Sequence, residues 1–222
     1  MTLPLNKVYL MDCLDGMKQI EDKSVDLVLT DPPYGIKRDK GFEGFEGFGG
    51  FGAPIARRRY EGDNWDSERP SKEFFQEMIR VSKNQIIFGG NFFTDILPQG
   101  NHWIVWDKKN TMPTFGDCEL AWTNIPRNSV KLFTLPYNGL IGKEQERFHP
   151  TQKPLKLMEW CLQKYSEPGM TVLDPFMGSG TTCVACKKLG RNYIGIEKEP
   201  AYVEIAKKRL EKVNNHKIEE WF

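Results

Sequence analysis

The stretch Asp26-Leu-Val-Leu-Thr-Asp-Pro-Pro-Tyr34 decides how the rest of the chain is interpreted. Leu27 to Thr30 form a short apolar, partly β-branched run, which is typical of a buried parallel strand. Two prolines then end the strand, because neither can donate to a sheet ladder and each keeps the preceding residue extended. In open α/β sheets, ligands bind beyond the carboxyl ends of the strands. The sequence therefore predicts a site made of the Asp31 carboxylate, the Pro32 carbonyl and the Tyr34 ring, which together suit an amino group on a flat ring.

The composition sets limits on the class of protein. A chain of 222 residues is long enough for one domain with a substantial core, and its 31 basic and 30 acidic residues neither require nor exclude a nucleic-acid partner. The N-terminus lacks the pattern of a signal peptide and no apolar run reaches about 18 residues, so we expect no membrane partner. Five cysteines in such a chain favour a reducing cytoplasm, of a prokaryotic or phage type. Cys183 and Cys186 lie in a helical pattern, so we expect buried packing there and no metal site.

The coarse pattern is that of a repeated βαβ arrangement. Residues 8–11 predict a strand that ends at Asp12, 14–20 a helix, and 27–30 the strand that carries Asp31. Further helices are predicted at 71–83, 92–97 and from Pro154, Thr181 and Pro200 onward. Further strands are predicted at 85–88, 102–106, 118–123, 130–134, 171–173 and 192–196, and we expect those at 118–123 and 130–134 to pair antiparallel.

A glycine–phenylalanine repeat follows the Asp31 stretch. Glycine stands at every third position from Gly41 and phenylalanine at every third position from Phe42, up to Gly52. The repeat matches neither a helix nor a strand, and it lacks the proline of collagen. Two interpretations remain open: an insertion without a role, or a mobile lid that meets nucleic acid together with Arg57, Arg58 and Arg59.

A second site is predicted in the C-terminal part. Asp174-Pro-Phe-Met-Gly-Ser-Gly180 is a tight loop between a strand and a helix, and it allows a ligand to approach the backbone at a helix N-terminus. Glu197 ends the next strand and is suited to accept hydrogen bonds from two ribose hydroxyls. Cys183 stands where a dinucleotide fingerprint needs its third glycine, and no Gly-Lys-Ser/Thr of a triphosphate loop follows. A nucleoside without a large phosphate cluster fits better, which points to S-adenosyl-L-methionine.

Three motifs together resemble those of the amino-directed DNA methyltransferases. They are Asp31-Pro-Pro-Tyr34, the loop 174–180, and His149-Pro-Thr-Gln-Lys-Pro154. Their order resembles the circularly permuted β-type of that family. The resemblance implies an α/β, Rossmann-like S-adenosylmethionine-dependent methyltransferase fold in one structural domain. It divides the chain into a catalytic half at 1–106, a small loop-rich target-recognition insertion at 107–148, and a cofactor-binding half at 149–222.

The same resemblance assigns roles to individual residues. Asp31, Pro32, Pro33 and Tyr34 are the implied catalytic group, with Tyr34 stacked on the target base. The cofactor's adenine is implied near Asp12 and Cys13, and its ribose at Glu197, although Asp12 serves equally well as a plain strand-end cap. The implied contacts of the rest of the cofactor are Asp31, Thr151, Gln152, Lys153, Asp174, Phe176, Gly178, Ser179, Gly180 and Thr181. Candidate DNA contacts are Arg57, Arg58, Arg59, Lys108, Lys109 and Arg127, although in the first five positions solvated surface charge is the more common role.

The implied activity is methylation of the N6 amino group of adenine in DNA after base flipping. The open alternatives are N4-cytosine methylation, methylation of a protein glutamine, a non-catalytic DNA-binding accessory subunit and a nicotinamide dehydrogenase. Aspartate at position 31, where relatives of the cytosine type carry serine, favours adenine by resemblance alone. About 40 residues between 107 and 148 are too few for a separate recognition domain. We therefore expect sequence specificity that is either loose or supplied by a second protomer or another chain.

Overall fold

The computed structural model describes residues 3–36, 68–100, 102–110, 116–126, 129–137 and 152–213. The glycine–phenylalanine repeat at 41–52, with Arg57, Arg58, Arg59, Arg127, His149 and Thr151, lies outside the described residues. The strands are β1 (Lys7–Leu10), β2 (Val25–Thr30), β3 (Ser82–Phe88), β4 (His102–Asp107), β5 (Cys118–Thr123), β6 (Lys131–Thr134), β7 (Thr171–Asp174) and β8 (Asn192–Glu197). The helices are α1 (Cys13–Met17), α2 (Lys72–Val81), α3 (Leu155–Tyr165), α4 (Thr181–Lys188) and α5 (Pro200–Lys212).

One eight-stranded sheet, in the order β1-β8-β7-β2-β3-β5-β4-β6, organises the described residues. All neighbouring strands are parallel except β5, which runs antiparallel to both β3 and β4. The expected antiparallel pairing of β5 with β6 is therefore wrong. Both edges of β5 are taken by β3 and β4, and β6 instead adds to the outer edge of β4 in parallel. The helix expected at 92–97 is replaced by one 3₁₀ turn at Gly90–Phe92.

Helices cover both faces of this sheet, as parallel strands require. The side chains of β2 contribute to two apolar clusters, with Leu27 and Leu29 on one face and Val25 and Val28 on the other. The first face packs against α3, α4 and α5, and the second against α1 and α2. The resulting three-layer arrangement is the Rossmann-like fold that the sequence predicts.

The strand order also matches the expected circular permutation. β1 pairs in parallel with β8, with Leu10 beside Glu197, and α5 packs against β1. In an unpermuted chain, β1 would therefore be the strand that comes directly after α5. A break between α5 and β1 leaves every strand pairing intact.

The connections diverge at the centre of the sheet. From β7 the chain passes through α4 to β8 on one side, whereas from β2 it passes through α2 to β3 on the other. Neighbouring parallel strands with diverging connections leave a crevice at their carboxyl ends, where open α/β sheets bind ligands. The Thr30 hydroxyl donates to the Asp174 carboxylate across this crevice at 2.7 Å.

All five cysteines are free, and Cys183 and Cys186 are buried in α4, as expected. Within the described ranges, no helix has the length and hydropathy needed to span a membrane, and no three potential metal ligands are grouped together. The interval 107–148 contains both β5 and β6, so part of the expected recognition insertion belongs to the central sheet.

Candidate active site

Asp31 lies directly beyond β2 at the central crevice. Its Oδ1 accepts a hydrogen bond from the Tyr34 hydroxyl at 2.5 Å, and its Oδ2 accepts one from Lys153 Nζ at 2.5 Å. The two prolines between Asp31 and Tyr34 restrict the backbone, so the turn brings these side chains together. Burial raises the pKa of Asp31, while the Lys153 ammonium opposes the rise. The structure therefore holds a carboxylate in a poorly hydrated place with two donors already bound to it.

The Tyr34 ring is packed on one side. It stacks on Phe92, with ring centroids 4.8 Å apart and planes at 18°. Gly89, with φ of +66°, makes this position possible, because a Cβ there would lie 2.1 Å from the ring. Stacking of a target base on Tyr34, as the sequence predicts, stays a prediction.

Lys153 connects Asp31 to a second carboxylate that the sequence analysis missed. Its side chain is only 7% exposed, and its Nζ lies 3.1 Å from Oε2 of Glu119 in β5. Glu119 is also paired with Lys108. The two neighbouring ammonium groups hold the pKa of Glu119 low, at about 2, and the two carboxylates hold that of Lys153 well above its usual value. The signal available in the sequence was a single glutamate in the otherwise uncharged strand Cys118-Glu-Leu-Ala-Trp-Thr123.

The glycine loop lies at the carboxyl end of β7, next to Asp31. Glu197 organises this loop, because its carboxylate accepts from the backbone N–H of Gly178 at 3.0 Å and from that of Glu199 at 2.9 Å. No described atom lies within 4 Å of the place that a Cβ would take on Gly178. The loop thus leaves open space over its backbone, beside a carboxylate, which fits the nucleoside part of S-adenosyl-L-methionine.

Two further side chains hold the loop from behind. Ser179 donates from its hydroxyl to the Gln152 side-chain oxygen at 3.1 Å. Arg209 of α5 donates to the Ser179 carbonyl at 2.7 Å and to the Thr181 hydroxyl at 3.0 Å. Sequence reasoning placed Gln152, Ser179 and Thr181 at the cofactor but missed Arg209, which looked like any charged residue of an amphipathic helix.

Asp12 and Cys13 follow the carboxyl end of β1, next to Glu197 at the carboxyl end of β8. Asp12 caps α1 by accepting from the backbone N–H of Leu14 at 2.8 Å, and Cys13 is buried. The N–H of Met11 donates to the Glu197 carbonyl at 3.0 Å, so the two strand ends are in register. Asp12 therefore has a structural role as the N-cap of α1, which the sequence analysis did not predict, and contact of this pair with adenine stays a prediction.

Asp174 is buried between the two central strands. Its Oδ1 accepts from Thr30, and also from the N–H of Phe176 at 3.2 Å. Burial raises its pKa to about 6. Phe176 turns outward from the same loop and packs against Phe74 of α2, with ring centroids 5.8 Å apart.

The two described candidates for DNA contact differ from each other. Lys109 is 63% exposed and pairs with Asp107 at 2.9 Å. Lys108 is only 14% exposed, pairs with Glu119, and places its Nζ 4.9 Å from the centre of the Trp106 ring. Lys108 is therefore part of the buried charge group around Asp31, and the expectation that it is surface charge is wrong because Trp106 and Glu119 enclose it.

Comparison with known proteins decides the family. Residues 122–208 match the N6_N4_Mtase model, described as DNA methylase. The Type II methyltransferase M.HinfI of Haemophilus influenzae is 30% identical over 94% of this chain and 69% of its own length. The chain belongs to the N6/N4 DNA methylase family. The matched part of this DNA methylase contains Lys153, the glycine loop and Glu197, and the similarity to M.HinfI spans nearly the whole chain.

Solved structures agree with this assignment. The M1.HpyAVI–SAM complex is 29% identical, with a TM-score of 0.56 over 92% of this chain and 98% of that one. The PvuII DNA methyltransferase, which is cytosine-N4-specific, has a TM-score of 0.61 over 96% of this chain and 88% of its own, at 17% identity. The second likeness concerns the fold alone.

Proposed function

We propose that this DNA methylase transfers a methyl group from S-adenosyl-L-methionine to the N6 amino group of adenine in DNA. The observation that carries the proposal is the position of Asp31-Pro-Pro-Tyr34 at the end of β2, next to the glycine loop at the end of β7. The two strands are neighbours, so an acceptor for an amino group and a nucleoside cradle share one crevice.

The residues around the glycine loop have the chemistry to hold the cofactor. Glu197 and Asp12 supply carboxylates for polar atoms of the nucleoside, and the open backbone at Gly178 lets the cofactor lie against the loop. S-adenosyl-L-methionine supplies an electrophilic methyl group on sulfur. Because the exocyclic nitrogen is itself the nucleophile, the methyl group passes directly from sulfur to nitrogen, and no covalent intermediate between a cysteine and the base is needed.

Asp31 acts on the acceptor nitrogen. An exocyclic amine is a weak nucleophile because its lone pair is delocalised into the ring. The Asp31 carboxylate and the Pro32 carbonyl accept its two N–H groups, which favours a nitrogen whose lone pair points away from the ring. Orienting two bound reactants in this way lowers the barrier further. The amine is out of reach inside a duplex, so the base leaves the stack at a cost of a few kcal/mol.

N4-cytosine methylation is the second candidate function. Cytosine carries the same kind of exocyclic amine, and a cytosine-N4-specific enzyme shares this fold. The aspartate at position 31 favours adenine by resemblance to the family.

Methylation of genomic DNA in vitro, followed by nucleoside mass spectrometry, tests the proposal. The expected product is N6-methyladenine, whereas N4-methylcytosine alone would make the second candidate correct.

Asp31→Asn keeps the volume but removes the charge, so we expect turnover to fall by roughly 10²–10³, as for other electrostatic groups in active sites. Cofactor affinity should change little. Glu204→Gln, the same chemical change on an exposed part of α5, is the control and should retain full turnover. Ordinary turnover in Asp31→Asn would contradict the proposed mechanism.

A further inference from the structure

The Lys153 ammonium lies between two carboxylates but is hydrogen-bonded to only one of them. It donates to Asp31 Oδ2 at 2.5 Å and to the Tyr34 hydroxyl at 3.3 Å. Oε2 of Glu119 is 3.1 Å away, outside hydrogen-bonding geometry. Because the other Glu119 oxygen accepts from Lys108, Oε2 is a buried carboxylate oxygen that no described residue hydrogen-bonds.

Such an oxygen is costly to keep, since a buried acceptor has lost its water and gained no donor. Its ion pair with Lys153 lessens the cost but does not supply a hydrogen bond. A small shift of the Lys153 Nζ away from Asp31 would supply it. Glu119 Oε2 is thus a second acceptor for the Lys153 ammonium, because it carries negative charge and lies 3.1 Å from the Nζ atom.

The proposed reaction is favoured by such a second acceptor for Lys153. Asp31 must accept an N–H from the target base, and in this structure Tyr34 and Lys153 each donate to one of its oxygens. Each oxygen keeps a lone pair, but the Lys153 ammonium and the arriving amino group share the charge of one carboxylate. Asp31 therefore accepts the amino group more strongly when Lys153 has moved away. A displaced ammonium that is 7% exposed cannot turn to bulk water, and it needs another anion nearby.

We propose that Glu119 is a positioning residue that takes Lys153 over from Asp31 when the exocyclic amino group of the target base binds. The inference rests on the proposed function, but it holds for adenine and cytosine alike. Only hydrogen bonds are exchanged: Lys153 keeps its proton, moves from Asp31 Oδ2 to Glu119 Oε2, and leaves Asp31 to the base. Lys108 keeps Glu119 ionised and in place throughout.

The test uses two duplexes that differ only in one amino group. Genomic DNA methylated by the wild-type protein first reveals the recognition sequence and the target base. One duplex carries that base, and the other carries an analogue without the exocyclic amine, which is purine for adenine or 2-pyrimidinone for cytosine. The dissociation constants of both duplexes, and of S-adenosyl-L-methionine, are then measured for each variant.

Glu119→Gln keeps the volume but removes the charge, so Lys153 should stay on Asp31. We expect it to weaken binding of the amino-bearing duplex about tenfold, the difference between a charge-assisted and a neutral hydrogen bond. Binding of the analogue duplex and of the cofactor should be unchanged. Glu204→Gln, the same chemical change on an exposed part of α5, is the control and should leave the ratio of the two duplex affinities as in the wild type.

Removing one partner of a buried pair can prevent folding, so the double variant Lys108→Met/Glu119→Gln is measured as well. It removes the pair as a neutral unit and should show the same selective tenfold loss. Equal weakening of both duplexes, or no change in either, in the variants that fold would overturn the inference. A wild-type protein that methylates no DNA would instead overturn the proposed function, and the inference with it.

Discussion

At the scale of single residues, Asp174 links the stability of the protein to pH. Its pKa of about 6 in the folded protein exceeds the ordinary value of about 3.9 expected in the unfolded chain. Between these values the folded state binds more protons than the unfolded state, so stability falls as the pH rises through this window. The cost of the buried charge is fully present above about pH 6.

Asp174→Asn removes this titration and keeps an oxygen for Thr30 and Phe176. We therefore expect the variant to gain stability relative to the wild type on going from pH 5 to pH 8, by about 1.5 kcal/mol. Denaturant unfolding of both proteins at the two pH values measures the difference. Comparing the two pH values cancels any hydrogen bond lost to the amide. A stability difference that is the same at both would show that Asp174 does not carry the shifted pKa.

Glu197 holds the glycine loop and is also the proposed partner of the ribose, so its removal tests where the ribose binds. Its oxygens hold the N–H groups of Gly178 and Glu199, and each retains a lone pair for a ribose hydroxyl. We expect Glu197→Ala to weaken S-adenosyl-L-methionine binding by about 1.5–3 kcal/mol, the range for hydrogen bonds to a charged group. Calorimetry decides it, with Glu199→Gln as the neighbouring control. Unchanged affinity in Glu197→Ala would place the ribose elsewhere.

At the scale of elements, the start of α4 depends on close contact with α5. Gly180 precedes α4 with φ of +78°, and a Cβ there would lie 2.7 Å from the Cβ of Ala206. Gly190, which follows α4, has a similar φ of +70°, but no described atom lies within 4 Å of its Cβ position. The pair separates backbone strain, which both positions share, from steric overlap, which only Gly180 has.

We expect Gly180→Ala to lose about 1–3 kcal/mol more stability than Gly190→Ala, the usual cost of overpacking. Adding Ala206→Gly should restore part of that loss, because it removes the atom that the new methyl group meets. Denaturant unfolding of the three variants measures this. If the two single variants lose equal amounts of unfolding free energy, the added methyl group at position 180 does not destabilise the contact between the loop and α5.

At the scale of the whole molecule, the order of the sheet allows the chain to be permuted. β1 lies beside β8 and against α5, so a flexible linker between α5 and β1 leaves every described strand pairing intact. A permuted chain that begins at residue 142 and ends at 141 interrupts no described helix or strand. We expect it to fold and to bind S-adenosyl-L-methionine within a few-fold of the wild-type affinity. Failure to fold, checked by circular dichroism, would show that the native start is needed.

Specificity is also a property of the whole molecule. β5 and β6 use part of the interval that we expected to recognise DNA. Fewer residues remain for reading a sequence, so the expectation of a second protomer or another chain stays a prediction.

The sequence by itself determined most of the elements, with the helix predicted at 92–97 as an exception, and the motifs of both halves of the candidate site. The ends of β2, β7 and β8 at Thr30, Asp174 and Glu197 follow from apolar runs stopped by proline, glycine or charge, and α5 begins at the predicted Pro200. These signals are local, because backbone restrictions and burial patterns act over a few residues. Placing Asp31 and the glycine loop in one crevice required only the rule that ligands bind at the carboxyl ends of parallel strands.

Only the tertiary structure decided which side chains meet across the sheet. Nothing local shows that β5 lies between β3 and β4, and that placement brings Glu119 to Lys153 and removes Lys108 from the surface. Arg209 is likewise 30 residues from the Ser179 that it holds. Strand neighbours are chosen by the packing of the whole core, so contacts between distant residues appear only when the chain is folded. The local sequence therefore determined the proposed acceptor for the amino group, and the fold determined which charges surround it.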